Sequence, residues 1–185
     1  MDLREERELV EEARRDPEAF GALYERYYSQ IFGYVLRRVA NVEIAQDLSS
    51  EVFFKALKNL GRFRWQNISF SSWLYRIASN QTTDYFRKDG HRAIPLEEFY
   101  ELAAVSGLSA EAEILQAEDE LKKHEDFLIL HKNIARLPSK YQEVITLRFF
   151  ENKHIKEIGE ILGKKEGTIK ALLHRGLKKL RKLME

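Results

Sequence analysis

The sequence predicts an all-α protein with two small helical domains joined by a linker, the C-terminal domain containing a helix-turn-helix. Apolar residues recur every three to four positions along most of the 185-residue chain, and no segment alternates with the period of a strand. The chain has only three prolines, and 33% of its residues are charged against 44% hydrophobic. This composition suits helices with one buried and one exposed face. We expect a first domain over residues 1–90, an acidic linker over 91–110 and a second domain over 111–185.

The first domain begins with two predicted helices. A short amphipathic pattern runs from Leu3 to Arg14. Asp16 is a good N-cap for the next helix, and Pro17 suits its first position because proline lacks an N–H and has a preset φ. Apolar residues then continue at helical spacing as far as Val39.

A third helix is predicted from Val42 to Asn59, with Asn41 as its cap. Gly61 is expected to end it, since glycine commonly follows the last turn of a helix.

A fourth helix follows a loop and is expected to start with Ser71 or Ser72 as its cap and to end near residues 89–90. Its apolar residues on one face are expected to pack against the preceding helices: Phe70, Trp73, Leu74 and Ile77. Other side chains fall on faces where packing does not explain them: Tyr75, Arg76, Asn80 and Arg87.

The second domain is predicted to begin with a helix from near Ser109 to Arg136. Pro138 marks a boundary, and Ser139 can cap a helix that continues through Glu151. Two further helices are expected near residues 155–162 and 168–184.

These last two helices have the spacing of a helix-turn-helix. Gly159 is small where a second helix must approach closely, and Gly163 can adopt the left-handed conformation of the turn. The second helix is expected to bury a stripe made of Ile169, Leu173, Leu177 and Leu180. Side chains on or near its open side suit contact with DNA: Lys170, Ala171, His174, Arg175 and Lys178. The alternative is a plain helical hairpin with a basic surface.

The net charge of +1 hides an asymmetry along the chain. Residues 89–126 carry eleven acidic and three basic side chains, whereas residues 164–185 carry eight basic and two acidic ones. The basic C-terminal segment indicates a polyanionic partner. The acidic segment is either a solvated linker or a mimic of a polyanion that occupies a basic channel of a partner.

Several classes of function are excluded or disfavoured. The chain has no cysteine, which excludes disulfides and cysteine-based zinc sites. His154 and Glu157 are three residues apart, but the other histidines share no pattern, so we expect no metal and no cofactor. No phosphate-binding loop or nucleophile motif is found, so we expect no enzyme activity. With no signal peptide and no apolar run of membrane-spanning length, we expect a cytoplasmic protein without membrane insertion.

Three blocks resemble the bacterial RNA polymerase sigma factors of the extracytoplasmic-function (ECF) class, in the sigma-70 superfamily. The first block covers residues 47–56. The second covers residues 70–78, with Asn80, Asp84 and Arg87 following. The third covers residues 137–144 and continues to residues 167–170 and 174–175. In this family the first domain binds the polymerase and opens the promoter −10 element, and the second reads the −35 element as a duplex.

The resemblance implies three partners: core RNA polymerase, through its β′ clamp and β flap, promoter DNA, and an anti-sigma factor. It implies polymerase-binding residues Asp47, Glu51 and Phe54. It implies −10 contacts by Phe63, Arg64, Trp65, Gln66, Asn67, Tyr75, Arg76, Asn80, Arg87 and Lys88. It implies −35 contacts by Lys165, Thr168, Lys170, Ala171, His174, Arg175, Lys178 and Lys179.

One departure from the family pattern affects the expected −35 contacts. Leu172 and Leu177 stand where the family often has Arg, so binding to −35 phosphates is expected either to be weaker or to be supplied by Lys178 and Lys179. The alternative function is a helix-turn-helix regulator that binds DNA without joining the polymerase. The helix that carries Asp47 and Glu51 distinguishes the two, since a simple regulator has no need of it.

Overall fold

A computed structural model describes residues 3–65, 68–89 and 129–185, and all regular secondary structure in these ranges is helical. The expected all-α class is confirmed. The first domain contains α1 (Leu3–Arg15), α2 (Phe20–Val39), α3 (Val42–Asn59) and α4 (Phe70–Asp89), with 3-10 turns at Pro17–Ala19 and Leu60–Arg62. The second contains α5 (residues 129–135), α6 (Ser139–Ile145), a π-helical turn (Thr146–Phe150), α7 (Ile155–Leu162) and α8 (Glu166–Met184). The predicted acidic linker, Gln66 and Asn67 lie outside the described residues.

The two predicted capping residues of the first half cap their segments, although Asp16 starts the 3-10 turn Pro17–Ala19 that precedes α2 and not α2 itself. The Asp16 carboxylate accepts a hydrogen bond from the Glu18 N–H at 2.9 Å, and Pro17 follows it. The Asn41 side chain accepts from the Ile44 N–H at 2.9 Å and starts α3 at Val42. These caps satisfy N–H groups that have no partner within their helix.

One predicted helix cap and one predicted helix stop differ from the structure. The α4 helix begins at Phe70, and Ser69 rather than Ser71 or Ser72 caps it, with its hydroxyl accepting from the Ser72 N–H at 3.1 Å. The α3 helix ends at Asn59, as predicted, but Gly61 does not end it with a left-handed residue: Gly61 lies within the 3-10 turn Leu60–Arg62 and does not adopt a positive φ.

The helix after Pro138 also differs from the prediction. Ser139 gives it no side-chain cap, and after Ile145 the hydrogen bonding widens into a π-helical turn. The Ser139 hydroxyl instead accepts a hydrogen bond from Arg38 of α2 at 2.8 Å. The hydroxyl that was predicted to cap the helix is therefore hydrogen-bonded to a distant residue of the first domain instead.

The helix-turn-helix has the predicted close approach and turn. A Cβ at Gly159 would lie 2.7 Å from the backbone oxygen of Lys164, so only glycine fits. Gly163 has φ +62°, in the left-handed region. The buried stripe of α8 is Ile169, Leu173, Gly176 and Leu180, and Leu177 is 42% exposed, which corrects the predicted stripe. The reason is a close contact: a Cβ at Gly176 would lie 3.2 Å from the Tyr141 Cβ, so α6 and α8 approach along Gly176.

The two domains pack directly against each other. The α4 helix lies against α7, and α2 contacts α6 and the π-helical turn. This contact determines which side chains of the first domain face solvent.

Candidate nucleic-acid and partner interface

A pocket of about 450 Å³ lies between α3 and α4 in the first domain. Ring and aliphatic side chains form its apolar wall, and amide, cationic and acidic groups complete it: Phe63, Trp73, Ile77, Lys55, Asn59, Arg62, Asn80, Gln81 and Asp84. Lys55 Nζ donates to Gln81 Oε1 at 2.6 Å across the two helices. A flat apolar wall beside amides is chemically suited to hold one unstacked nucleic-acid base.

The apolar wall belongs to an aromatic cluster beneath the loop that follows α3. The Phe63 ring lies 5.0 Å from that of Trp65, 5.7 Å from Phe70 and 4.9 Å from Trp73, measured between centroids. Phe63 is only 4% exposed, so it can present a ring face to the pocket but cannot itself reach out to a DNA strand. Arg64 is exposed, and its guanidinium donates to the backbone oxygens of Gly61 and Phe63 at 2.9 and 3.1 Å.

Asn80, Arg87 and Lys88 are exposed on α4, as contacts with DNA require. Asn80 also lines the pocket. Arg87 pairs with Asp84 at 3.1 Å on the helix surface, and this exposed pair is easily exchanged for a phosphate. The sequence analysis did not assign four polar residues to this pocket: Lys55, Asn59, Gln81 and Asp84. The i, i+4 spacing of Lys55 and Asn59, which places both on one helical face, could have indicated two of them.

Packing accounts for Tyr75, contrary to the expectation from its helical face. Its side chain is 2% exposed, its ring meets that of Tyr34 edge-on, and its hydroxyl donates to Glu151 Oε2 at 2.5 Å. Burial and the Glu151 carboxylate both raise the pKa of the Tyr75 hydroxyl, so it stays protonated as a donor.

Arg76 is likewise occupied by the second domain. Its guanidinium donates to the backbone oxygens of Glu160 and, at 3.3 Å, of Ile161. These are carbonyls of the last turn of α7, where the helix dipole favours a cation.

Two arginines of α2 complete a polar contact between the domains. Arg37 pairs with Glu151 at 2.9 Å. Arg38 is fully buried, lies 3.8 Å from the Glu143 carboxylate and donates to Thr82 and Ser139. Burial raises the pKa of the Glu151 carboxyl, although the hydrogen bond from Tyr75 and the charge of Arg37 act in the opposite direction. No sequence pattern signals these pairs, because their members lie far apart in the chain.

The exposed face of α3 carries the predicted acidic edge. Asp47 and Glu51 are exposed, and Phe54 is 64% exposed beside them. Leu57 and Tyr24, each 38% exposed, add apolar surface that the sequence reasoning did not assign. A large exposed ring beside carboxylates is typical of a protein-binding surface rather than of a solvated helix.

The open side of α8 carries the predicted cations. All the predicted −35 residues are exposed except Ala171, which is half-buried. Within the described ranges, Lys170, Arg175, Lys178 and Lys179 take part in no ion pair, so their charges are available to phosphates. Leu172 is half-buried against the core, and the exposed Leu177 is the more conspicuous departure from a cationic surface.

Among the described residues, no group of three or more His, Cys, Asp or Glu side chains is arranged to hold a metal ion. No helix in those ranges is both long and apolar enough to cross a bilayer.

Two family models of known proteins match the chain. Residues 23–92 match the family model of sigma-70 region 2, and residues 127–180 match that of sigma-70 region 4. The chain belongs to the ECF RNA polymerase sigma factors. The ECF sigma factor SigW of Bacillus subtilis is 33% identical over 98% of this chain and 97% of its own length. The ECF sigma factor BldN of Streptomyces coelicolor is 33% identical over 96% of this chain, which spans 65% of that protein.

Solved structures show the same fold. CnrH, in complex with the cytosolic domain of CnrY, is similar with a TM-score of 0.69 and 21% identity, over 97% of this chain and 96% of that chain. RpoE of Bartonella quintana, in complex with the anti-sigma factor NepR, is similar with a TM-score of 0.63 and 19% identity, over 89% of this chain and 96% of that chain. Membership of the family favours a polymerase subunit over a regulator that stays apart from the polymerase.

Proposed function

We propose that the chain joins core RNA polymerase and directs promoter opening through three separate surfaces. The acidic edge of α3 docks on the β′ clamp, the pocket between α3 and α4 takes a base of the −10 element, and α8 lies in the major groove of the −35 element. The observation that carries the proposal is the pocket, because a duplex-binding regulator has no use for a site that accepts an unstacked base.

The −10 contacts follow from the chemistry of the pocket. Asn80 stands exposed at its rim, where it can interrupt base stacking, while Trp73 and Phe63 offer ring faces to the extruded base. Arg87 and Lys88 lie further along α4 as backbone contacts. Tyr75 and Arg76 can contact DNA only after the second domain moves away from α4, since both are held by that domain in the closed arrangement.

The −35 contacts divide into two kinds. Lys170, Arg175, Lys178 and Lys179 are placed for phosphates, and they supply affinity that falls as salt rises. His174 and Ala171 are expected to lie nearer base edges and to affect which sequence is preferred. The further partners, the β flap and an anti-sigma factor, stay predictions from the family resemblance.

The test compares two single variants on two templates. Lys170→Ala should weaken binding to duplex −35 DNA and reduce the salt slope by about one counterion, and it should not matter on a template already opened at the −10 element. Asn80→Ala should slow opening of the closed duplex and matter much less on the pre-opened bubble. The measurement is permanganate reactivity of −10 thymines in the two holoenzymes.

Matched controls use exposed neighbours that carry no proposed contact. Lys156→Ala removes an exposed cation from α7. Thr83→Ala changes an exposed polar residue of α4 near Asn80 in the sequence. Equal loss of opening by Lys170→Ala and Asn80→Ala on both templates would contradict the division between the two elements.

A further inference from the structure

The α1 helix holds both described ends of the loop that forms the pocket wall. Arg14 of α1 donates to the backbone oxygen of Leu60 at 3.3 Å and to that of Phe63. Glu11 pairs with Arg14 at 2.5 Å and holds the guanidinium in place. The start of the loop is therefore tied to α1 through its main chain, which leaves the Phe63 ring free to face the pocket.

The far end of the loop is tied by Glu6. This carboxylate is 4% exposed and accepts from the N–H groups of Phe70 at 3.4 Å and Ser71 at 3.1 Å. The Tyr27 hydroxyl donates to it at 2.6 Å. A carboxylate at the first turn of a helix is also stabilised by the helix dipole, so Glu6 holds the first turn of α4, which carries Trp73.

The two ties are held at a constant separation by the helix that carries them. Glu6 and Arg14 are eight residues apart, which is about 12 Å along an α-helix and close to two turns, so they share one side of α1. Val10 and Ala13 between them are 0% and 3% exposed. The core therefore anchors the helix itself.

We propose that Glu6 and Arg14 are positioning residues for −10 recognition. By holding the Phe63 main chain and the first turn of α4, they set the relative position of the contacting Phe63 and Trp73 rings, which form the apolar wall of the pocket, and so determine which base the pocket accepts. Neither side chain contacts the base. The inference depends on the proposed function of the pocket and extends it to an element outside the pocket lining.

The experiment uses holoenzyme made from the full chain and core RNA polymerase. Wild-type holoenzyme first transcribes a library of randomised promoters, which defines its −10 and −35 preferences. Holoenzymes that carry Arg14→Ala or Arg14→Lys then transcribe the same library, at a temperature well below the melting temperatures of the two variants. Arg14→Ala should lower the preference at one −10 position by up to roughly tenfold, since the effect of an indirect contact cannot exceed the free energy of the lost hydrogen bond from a charged group. The −35 preference should be unchanged.

Three variants separate positioning from stability and charge. Arg14→Lys keeps a donor and should retain part of the preference. Arg15→Ala removes an exposed cation next to it and should change nothing. Val10→Ala opens a core cavity under α1 and should lower the melting temperature at least as far as Arg14→Ala, without altering the −10 preference.

Two results overturn the inference. The first is an unchanged −10 preference in Arg14→Ala. The second is an equal loss of preference in Val10→Ala, which would mean that stability alone is responsible. Asn80→Ala serves as the separate check on the pocket: if it alters the −10 preference and Arg14→Ala does not, only the positioning role fails. If Asn80→Ala also leaves the preference intact, the proposed function of the pocket fails.

Discussion

Replacing Glu151 by Gln should loosen the closed arrangement of the two domains and expose the −10 surface. Glu151 comes from the second domain, and its two carboxylate oxygens bind Arg37 at 2.9 Å and Tyr75 at 2.5 Å in the first. A glutamine retains the shape and one acceptor oxygen, but it is neutral. With that oxygen towards Arg37, its amide nitrogen faces the Tyr75 hydroxyl, which can then only accept, so the hydrogen bond that Tyr75 donates to the carboxylate is lost.

The size of the effect follows from burial. The side chains of Glu151 and Arg37 are 7% and 16% exposed, and Tyr75 is 2% exposed, so solvent screens the contact weakly. Loss of one hydrogen bond to a charged group costs about 1.5–3 kcal/mol. Since 1.4 kcal/mol is a factor of ten, the affinity of the free chain for a −10 strand should rise by up to roughly thirtyfold for about 2 kcal/mol. The Arg76 guanidinium is released from α7 in the same step.

The assay measures opening and binding separately. The chain has no cysteine, so Lys58→Cys and Lys182→Cys at exposed positions allow a fluorophore pair to report the distance between the domains. Anisotropy of a labelled single-stranded oligonucleotide with the selected −10 sequence reports binding by the free full chain. Tyr75→Phe completes a double-mutant cycle, whose coupling free energy with Glu151→Gln should exceed about 0.5 kcal/mol.

Glu12→Gln is the matched control, because it removes one carboxylate at an exposed position of α1 outside the contact between the domains. A longer distance between the domains in Glu151→Gln, with −10 affinity still at the wild-type value, would refute the proposed link between domain opening and −10 binding. A coupling free energy near zero would show instead that the hydrogen bond between Tyr75 and Glu151 does not hold the domains together.

Three further variants test other parts of the structure. Asp47→Arg with Glu51→Arg should abolish binding to core polymerase in a pull-down while the helix content by circular dichroism stays the same. Burial and the charge of Arg37 lower the pKa of His131 from 6.5 to about 4, so the unfolded state binds the proton first and stability is lost as pH falls from 6.5 towards 4. Between pH 7 and pH 5 this loss should be about 2 kcal/mol in urea unfolding, and His131→Gln should remove it. Gly159→Ala should destabilise the chain by about 1–3 kcal/mol, because its Cβ would meet the Lys164 oxygen at 2.7 Å.

Each of these variants has a control and a contradicting outcome. Glu8→Arg reverses an exposed charge on α1 and should leave polymerase binding intact; loss of binding there would mean that net charge is responsible. Gly167→Ala has no atom within 4 Å of the new Cβ and should be neutral or slightly stabilising. An equal loss of stability in both glycine variants would contradict the steric argument. An unaltered pH dependence in His131→Gln would assign the acid sensitivity to another group.

The sequence by itself determined the features that depend on neighbours in the chain. Asp16 and Asn41 cap helices because their acceptors reach N–H groups two or three residues ahead, and Gly163 turns because its own φ is unrestricted. The acidic edge of α3 and the cations of α8 follow from the 3.6-residue period, which separates exposed from buried positions. Membership of the family was also recognisable from the sequence, because each of its motifs is a short run of neighbouring residues and the motifs occur in the family's order.

Only the tertiary structure decided the features that depend on distant partners. Tyr75 looks exposed from its helical position but is buried against Tyr34 and Glu151. Ser139 loses its expected capping role to Arg38, which lies 101 residues away in the chain. The ties from α1 to the pocket loop, made by Glu6 and Arg14, join residues separated by 46 to 65 positions. Periodicity and capping rules span a few residues, so they carry no information about which distant surface covers a side chain.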